Sequence, residues 1–212
     1  MEPEACTMIA ITPEDQEWYT PAYILDLVYS VIGIPDLDPC CNRYGSPNVV
    51  AKDYCRLPFR DGLTEPWHGN VFLNPPYGRG ISTWIDKACS EYLTGNTKEM
   101  IALVPVKCDT QWWAELTNTA LCWCAIRGRV DFSNPAISTI EQTLRKTGTF
   151  ASAVVLCTTE KATLQKFLEI FNRIGDVWIP HNLNRRIQFP REFYGGANIK
   201  QRPIHTKAAH GM

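Results

Sequence analysis

No segment of this sequence is long and apolar enough to cross a bilayer. The strongest run, Met100 to Val106, covers seven residues where a spanning helix needs about 20. No hydrophobic signal segment opens the chain, and its nine cysteines are an odd number in 212 residues, which argues against a disulfide scaffold and for a reducing, cytoplasmic setting. Metal-ligand spacing is missing too. Cys40 and Cys41 are adjacent, Cys122 and Cys124 are one residue apart, and His68, His181, His205 and His210 have no partner at ligand spacing, so no metal is expected and the thiols read as structural. Charge of one sign is also lacking. Lys and Arg total 21 against 22 Asp and Glu, a formal net charge of -1, which excludes coating of a polyanion by the whole surface and confines any nucleic-acid site to a local patch. There is no internal repeat and no low-complexity block.

What is present suits one substantial core: 45% hydrophobic and 20% charged residues fit a single domain over residues 16–180, preceded by a short segment, 1–15. Thr20 as N-cap and Pro21 at the first helical position open a helix whose apolar residues Ile24, Leu27, Val28 and Val31 recur at helical spacing before Gly33. "PDLDPC" and "VFLN" read as short strands, and residues 81–93 place Ile81, Trp84, Ile85, Ala88 and Tyr92 on one helical stripe. "MIALVPV", "LCWCAI", "ASAVVLCT" and "VWI" read as strands, separated by a helix opened at Asp109 or Thr110 and by another closed at Gly175. Continuous apolar strands alternating with helices imply an α/β fold, a mostly parallel sheet with helices on both faces.

Regular patterning is weakest over 39–69 and 128–150. The second of these is polar, with Arg129, Arg145 and Lys146, and is a candidate recognition insertion. The tail, 181–212, holds Arg185, Arg186, Arg191, Lys200, Arg202 and Lys207 against Glu192 alone, which suits phosphate contact or a solvated terminus. Arg127 and Arg129 flank Gly128 at a strand end, where either a phosphate contact or a structural ion pair is expected. Trp112 and Trp113 read as core residues before they read as a stacking platform.

Asn74-Pro75-Pro76-Tyr77 leaves a strand through a sequence that can continue neither a sheet nor a helix. In open parallel sheets ligands sit at the carboxyl ends of strands, and two prolines there fix an extended exit with no backbone donors. The result is a rigid set of acceptors. Such a set fits transfer to an exocyclic amine or an amide, whose nitrogen becomes nucleophilic as it turns pyramidal: the Asn74 side-chain oxygen and the Pro75 carbonyl would take its two hydrogens, and Tyr77 would stack on a base displaced from the duplex.

That tetrapeptide resembles the NPPY signature of S-adenosylmethionine-dependent amino methyltransferases. The ordered set "EWYTP", "DLDPC", "DGLTEPWHGNVFLNPPYG", "LVPVKCDTQWW", "RGRVDF" and "FASAVVL", roughly residues 16 to 156, is similar to the phage-type DNA N6-adenine methyltransferase (Dam) family. The resemblance implies a Rossmann-like methyltransferase fold, S-adenosylmethionine as donor, adenine in double-stranded DNA as acceptor, and a phage or prophage origin in a bacterial host. It makes Asn74, Pro75, Pro76 and Tyr77 catalytic, sets Thr20 and Pro21 against the donor, and gives Asp38 and Pro39 to its cationic methionine end. It also places Asp61 near the adenine or donor and, with "NVVAKDY" as the second strand, Asp53 at ribose hydroxyls. The chain departs from the wider methyltransferase pattern after Pro39, where Cys40-Cys41-Asn42 stands in place of a glycine-rich turn. An RNA-adenine or protein-glutamine methyltransferase would use the same tetrapeptide, and a non-catalytic DNA-binding protein could keep the fold.

Overall fold

Seven strands join in one sheet in the computed structural model, which describes residues 18–43, 46–134 and 150–180. They are β1 (Leu37–Asp38), β2 (Asp53–Tyr54), β3 (Gly69–Leu73), β4 (Thr97–Pro105), β5 (Cys122–Ile126), β6 (Ser152–Cys157) and β7 (Gly175–Trp178). The helices among the described residues are α1 (Ala22–Ile32), α2 (Ile81–Leu93), α3 (Gln111–Thr119) and α4 (Lys161–Phe171). The spatial order is β2-β1-β3-β4-β6-β5-β7. Strands β1 to β4 pair in parallel, β6 lies antiparallel between β4 and β5, and β7 pairs antiparallel with β5. Strands β1 to β5 therefore all point the same way. The expected mostly parallel α/β sheet is present, with β6 and β7 reversed; a continuous apolar run such as 152–157 carries no mark of its direction.

Strand alternation explains why both faces are covered. Val71 and Leu73 of β3, Met100, Ala102 and Val104 of β4, and Ala153, Val155 and Cys157 of β6 share a core with Ile85, Ala88 and Cys89 of α2 and Trp112, Trp113 and Leu116 of α3. The intervening Phe72, Ile101, Leu103, Val154 and Leu156 are fully buried on the opposite face. Helices α1 and α4 pack on each other, away from the α2–α3 pair, and bury Ile24, Val28, Phe167 and Phe171. Burial on both sides is what the unbroken apolar strands require.

Three local expectations change. Helix α1 begins at Ala22 with Pro21 at its N-cap and no side-chain cap bond, so Thr20 does not cap it. Gly175 does not close α4, which ends at Phe171. It opens β7 instead, where a Cβ would fall 2.3 Å from the carbonyl oxygen of Ala125. The strand expected over "NVVAKDY" shrinks to Asp53–Tyr54, with Cys55 N–H extending its contact to the carbonyl of Asp38 at 3.0 Å.

Because β1 to β5 are co-directional, Asp38, Asn74 and Arg127 emerge at one edge of the sheet. That edge carries the candidate site. No described helix is long and apolar enough to cross a membrane.

Candidate active site

Asn74 is the first residue beyond β3, held between the fully buried Leu73 and the buried Pro75. Its Nδ2 donates to Thr20 Oγ1 at 3.0 Å across 54 residues of chain. Its Oδ1 is buried and has no hydrogen-bond partner among the described residues. A buried carbonyl oxygen left unpaired costs about 1–3 kcal/mol, so an acceptor in this state marks a place where a donor belongs.

Thr20 is 2% exposed, and its own position is fixed from two sides. Its N–H donates to Asn48 Oδ1 at 2.7 Å, and its carbonyl accepts from Asn48 Nδ2 at 3.2 Å. Next to it, Tyr19 exchanges backbone bonds with Ser133, at 2.6 and 3.2 Å. That bridge brings the segment after β5 to the tetrapeptide. Tyr77 meets Phe132 and Phe150 edge-on, with centroids 5.7 and 5.3 Å away, and its hydroxyl donates to the carbonyl of Leu103 in β4 at 3.1 Å. Burial pushes the Tyr77 phenol well above its ordinary value, so it is neutral at any physiological pH.

Asp38 ends β1 with 3% of its surface exposed. Burial pushes its carboxyl up to about 7, against the opposing effect of one hydrogen bond, from the Cys40 N–H at 3.0 Å. No ion pair to Asp38 exists among the described residues. A carboxylate in this state is short of a cation. Asp61 reaches the same place because Gly62 packs against the Pro39 carbonyl. Asp61 Oδ1 accepts from Leu63 N–H at 3.0 Å and its backbone carbonyl from Thr64 and Glu65 N–H, closing a turn beside the Asp38–Pro39 corner.

The missing glycine-rich turn has a substitute. Asn42 Oδ1 accepts from Asn48 N–H at 2.9 Å, while Asn42 Nδ2 donates to the Ser46 carbonyl at 3.0 Å and to the Tyr19 hydroxyl at 3.2 Å. Side-chain amides shape the loop where backbone freedom would otherwise be used. Asn42 was marked in the sequence only as part of a departure from a glycine-rich turn, and nothing in the pattern singled out Asn48, nor Phe132, which stands in the quoted "RGRVDF" without a role.

The remaining candidates are less closely placed. Asp53 Oδ1 is engaged by Arg60 at 2.7 Å and by Tyr54 N–H at 2.8 Å; burial raises its pKa, but the Arg60 bond and charge outweigh that and hold it below the usual value. Arg127 forms an exposed pair with Asp176 at 2.9 Å and donates to the Gly175 carbonyl, so the ion-pair reading describes it. Arg129 is exposed and makes no ion pair among the described residues. Trp112 and Trp113 are buried, with Trp113 edge-on to Trp123 at 5.3 Å, which makes them core and removes them as a stacking platform. Arg145, Lys146 and the basic tail lie outside the described residues. All described cysteines are free thiols, and the described residues hold no cluster suited to a metal.

No curated protein gives a significant match to this chain. The family model for DNA N-6-adenine-methyltransferase (Dam) matches residues 10–174, a span that holds Thr20, Asp38, Asp61 and the whole Asn74–Tyr77 exit. With that match over most of its length, the chain belongs to the DNA N-6-adenine-methyltransferase (Dam) family.

Proposed function

We propose that this protein transfers a methyl group from S-adenosylmethionine to the exocyclic N6 amine of an adenine turned out of double-stranded DNA. The observation that carries the reading is the Oδ1 of Asn74, buried at the carboxyl edge of the sheet and unpartnered among the described residues. S-adenosylmethionine would supply an electrophilic methyl carbon on a positively charged sulfur. Asp38 suits the cationic methionine end, since a buried carboxyl raised by desolvation regains its charge most easily beside a cation. Pro39 and the Asp61–Gly62 turn would wall that pocket, Thr20 and Pro21 would border it, and Asp53 would offer its second oxygen to ribose hydroxyls.

On the acceptor side, Asn74 Oδ1 and the Pro75 carbonyl would each take one hydrogen of the adenine amine. Both act more strongly as the nitrogen turns pyramidal and its hydrogens grow more acidic, so they favour the transition state over the ground state. A preset acceptor costs no reorganisation when the reaction occurs. Tyr77, with its hydroxyl tied to Leu103, would hold the base with its ring, and Pro76 keeps the exit stiff. The methylated nitrogen sheds its proton readily to water, so no strong base is required. Arg129, Arg145 and Lys146 would meet phosphate, and the enzyme would act in the bacterial cytoplasm where phage or prophage DNA is present.

The test is transfer of labelled methyl from S-adenosylmethionine to unmethylated duplex DNA, with RNA and protein run alongside and nucleosides analysed afterwards. Label recovered as N6-methyladenine from DNA supports the proposal. Label found only in RNA or in glutamine would move the substrate, and donor binding without any transfer would overturn the reading. Asn74→Ala is expected to lower kcat at least about a hundredfold, as loss of a preorganised transition-state partner does elsewhere, while donor affinity stays within a few-fold.

A further inference from the structure

An asparagine carboxamide can rotate to offer either end, so an oxygen aimed at substrate needs something to hold the nitrogen and to halt that rotation. Thr20 Oγ1 is placed to do this, 3.0 Å from Asn74 Nδ2 and almost wholly buried. Its hydroxyl is not spent on helix α1, whose N-cap is Pro21.

A hydroxyl on a loose segment would make a poor anchor. Here one side chain holds the backbone of Thr20 at both polar groups: Asn48 Oδ1 accepts from its N–H at 2.7 Å and Asn48 Nδ2 donates to its carbonyl at 3.2 Å. Two opposed bonds from one planar amide fix position and orientation together. Asn48 is itself tied through its N–H to Asn42 Oδ1 at 2.9 Å, within the loop that follows Asp38 and Pro39.

We propose that Thr20 and Asn48 form a positioning relay for the reaction: Thr20 accepts from Asn74 Nδ2 so that Oδ1 is presented to the substrate amine, and Asn48 fixes Thr20. In the observed arrangement the Asn74 amide nitrogen faces the Thr20 hydroxyl and the oxygen is left for a donor, which an amine with two hydrogens to give supplies. The inference rests on the amine-methylation reading above. It gives Thr20 a role through Asn74, separate from any contact with the donor.

The experiment compares wild type with Thr20→Val, Thr20→Ser and Asn48→Asp. Valine keeps the shape and removes the acceptor, serine keeps the acceptor, and aspartate keeps the acceptor for the Thr20 N–H while setting a carboxylate against the Thr20 carbonyl. Four quantities are read: kcat on duplex DNA, donor affinity by calorimetry, thermal unfolding, and the 15N–1H resonances of the Asn74 carboxamide in the protein without donor, assigned by their loss in Asn74→Asp. Thr20→Val is expected to lower kcat roughly ten- to a hundredfold, in the range seen when a preset group is loosened. It should also move the Asn74 carboxamide resonances and speed their exchange, with the loss in kcat exceeding any loss in donor affinity. Thr20→Ser should restore most of the rate and the resonances, and Asn48→Asp should lose both in part.

Unchanged carboxamide resonances in Thr20→Val would overturn the relay, as would a loss confined to donor affinity with kcat within twofold of wild type. If Thr20→Val does not fold, Asn48→Asp decides by the same readouts. If wild-type protein methylates no DNA, the functional reading fails by itself, and the carboxamide resonances still decide whether Thr20 holds Asn74.

Discussion

Gly62 lies against Pro39 so closely that a Cβ on it would stand 2.1 Å from the Pro39 carbonyl oxygen and 3.1 Å from the Trp84 ring. This contact makes the turn at Asp61 part of the Asp38 corner, although Asp61 lies 23 positions beyond Asp38 in sequence. Gly62→Ala is therefore expected to force the two loops apart. A cost of about 1–3 kcal/mol, typical of overpacking, should appear in denaturant unfolding, with donor affinity falling alongside it. An alanine variant of wild-type stability and donor affinity would show that the contact is dispensable.

Asp38 makes a pH dependence with a definite sign. Its folded value of about 7 lies above the roughly 3.9 of an unfolded aspartate, so between those values the folded chain holds a proton that the unfolded chain has lost. Without donor, the contribution of Asp38 to stability should fall as pH rises from about 4 to about 7 and then level off. The neighbouring Cys40 thiol is pushed well above its ordinary value by burial and stays neutral through this window. Donor binding should tighten over the same range, and at pH 6 it should release a proton, visible as a difference in binding heat between buffers of unlike ionisation enthalpy. Asp38→Asn should raise the stability of the free protein at pH 8 while weakening donor binding roughly tenfold or more, the scale of a lost charged hydrogen bond. Identical binding heats in all buffers would remove Asp38 from the donor site.

Tyr77 separates two roles within one side chain. Its hydroxyl is committed to the Leu103 carbonyl, and its ring contacts Phe132 and Phe150. Tyr77→Phe should cost about 1 kcal/mol of stability from the lost bond and leave kcat within a few-fold, because the ring proposed to hold the base remains. Tyr77→Ala should raise KM for DNA and lower kcat together. A severe loss of kcat in the phenylalanine variant would give the hydroxyl a chemical part.

How much of this was visible in the sequence depends on whether a residue acts through pattern or through partners. The stripe Ile81, Ile85 and Ala88 marked α2 at its observed bounds, because helix burial repeats along the chain. Asn74 to Tyr77 stood out because two prolines forbid every regular continuation, whereas Asp38-Pro39, a carboxylate and a turn residue after a short strand, drew its role only from the family resemblance. Thr20 read as a helix cap, which it is not, and as a neighbour of the donor by resemblance; neither reading pointed to Asn74, 54 residues on, whose Nδ2 donates to its hydroxyl. Asn48 and the bonding role of Asn42 were invisible, since single polar residues in an irregular loop carry no periodicity. Gly175 likewise read as a helix stop, when its lack of a side chain is needed against Ala125 on the neighbouring strand.

Arg127 and Arg129 leave the same strand end and should differ in what DNA feels. Arg127 is already paired with Asp176 and with the Gly175 carbonyl, whereas Arg129 is exposed with no ion pair among the described residues. Each phosphate contact contributes about -0.9 to the slope of log affinity against log salt on B-form DNA. Arg129→Ala should thus reduce the magnitude of that slope by about one and weaken binding to all sequences alike, as expected for a backbone contact. Arg127→Ala should change the slope much less, because its charge is locally offset by Asp176. DNA-binding titrations at four or five salt concentrations measure both slopes. Equal slopes for Arg129→Ala and wild type would take Arg129 out of the interface, and a larger change for Arg127→Ala would mean that its pair with Asp176 opens when DNA binds.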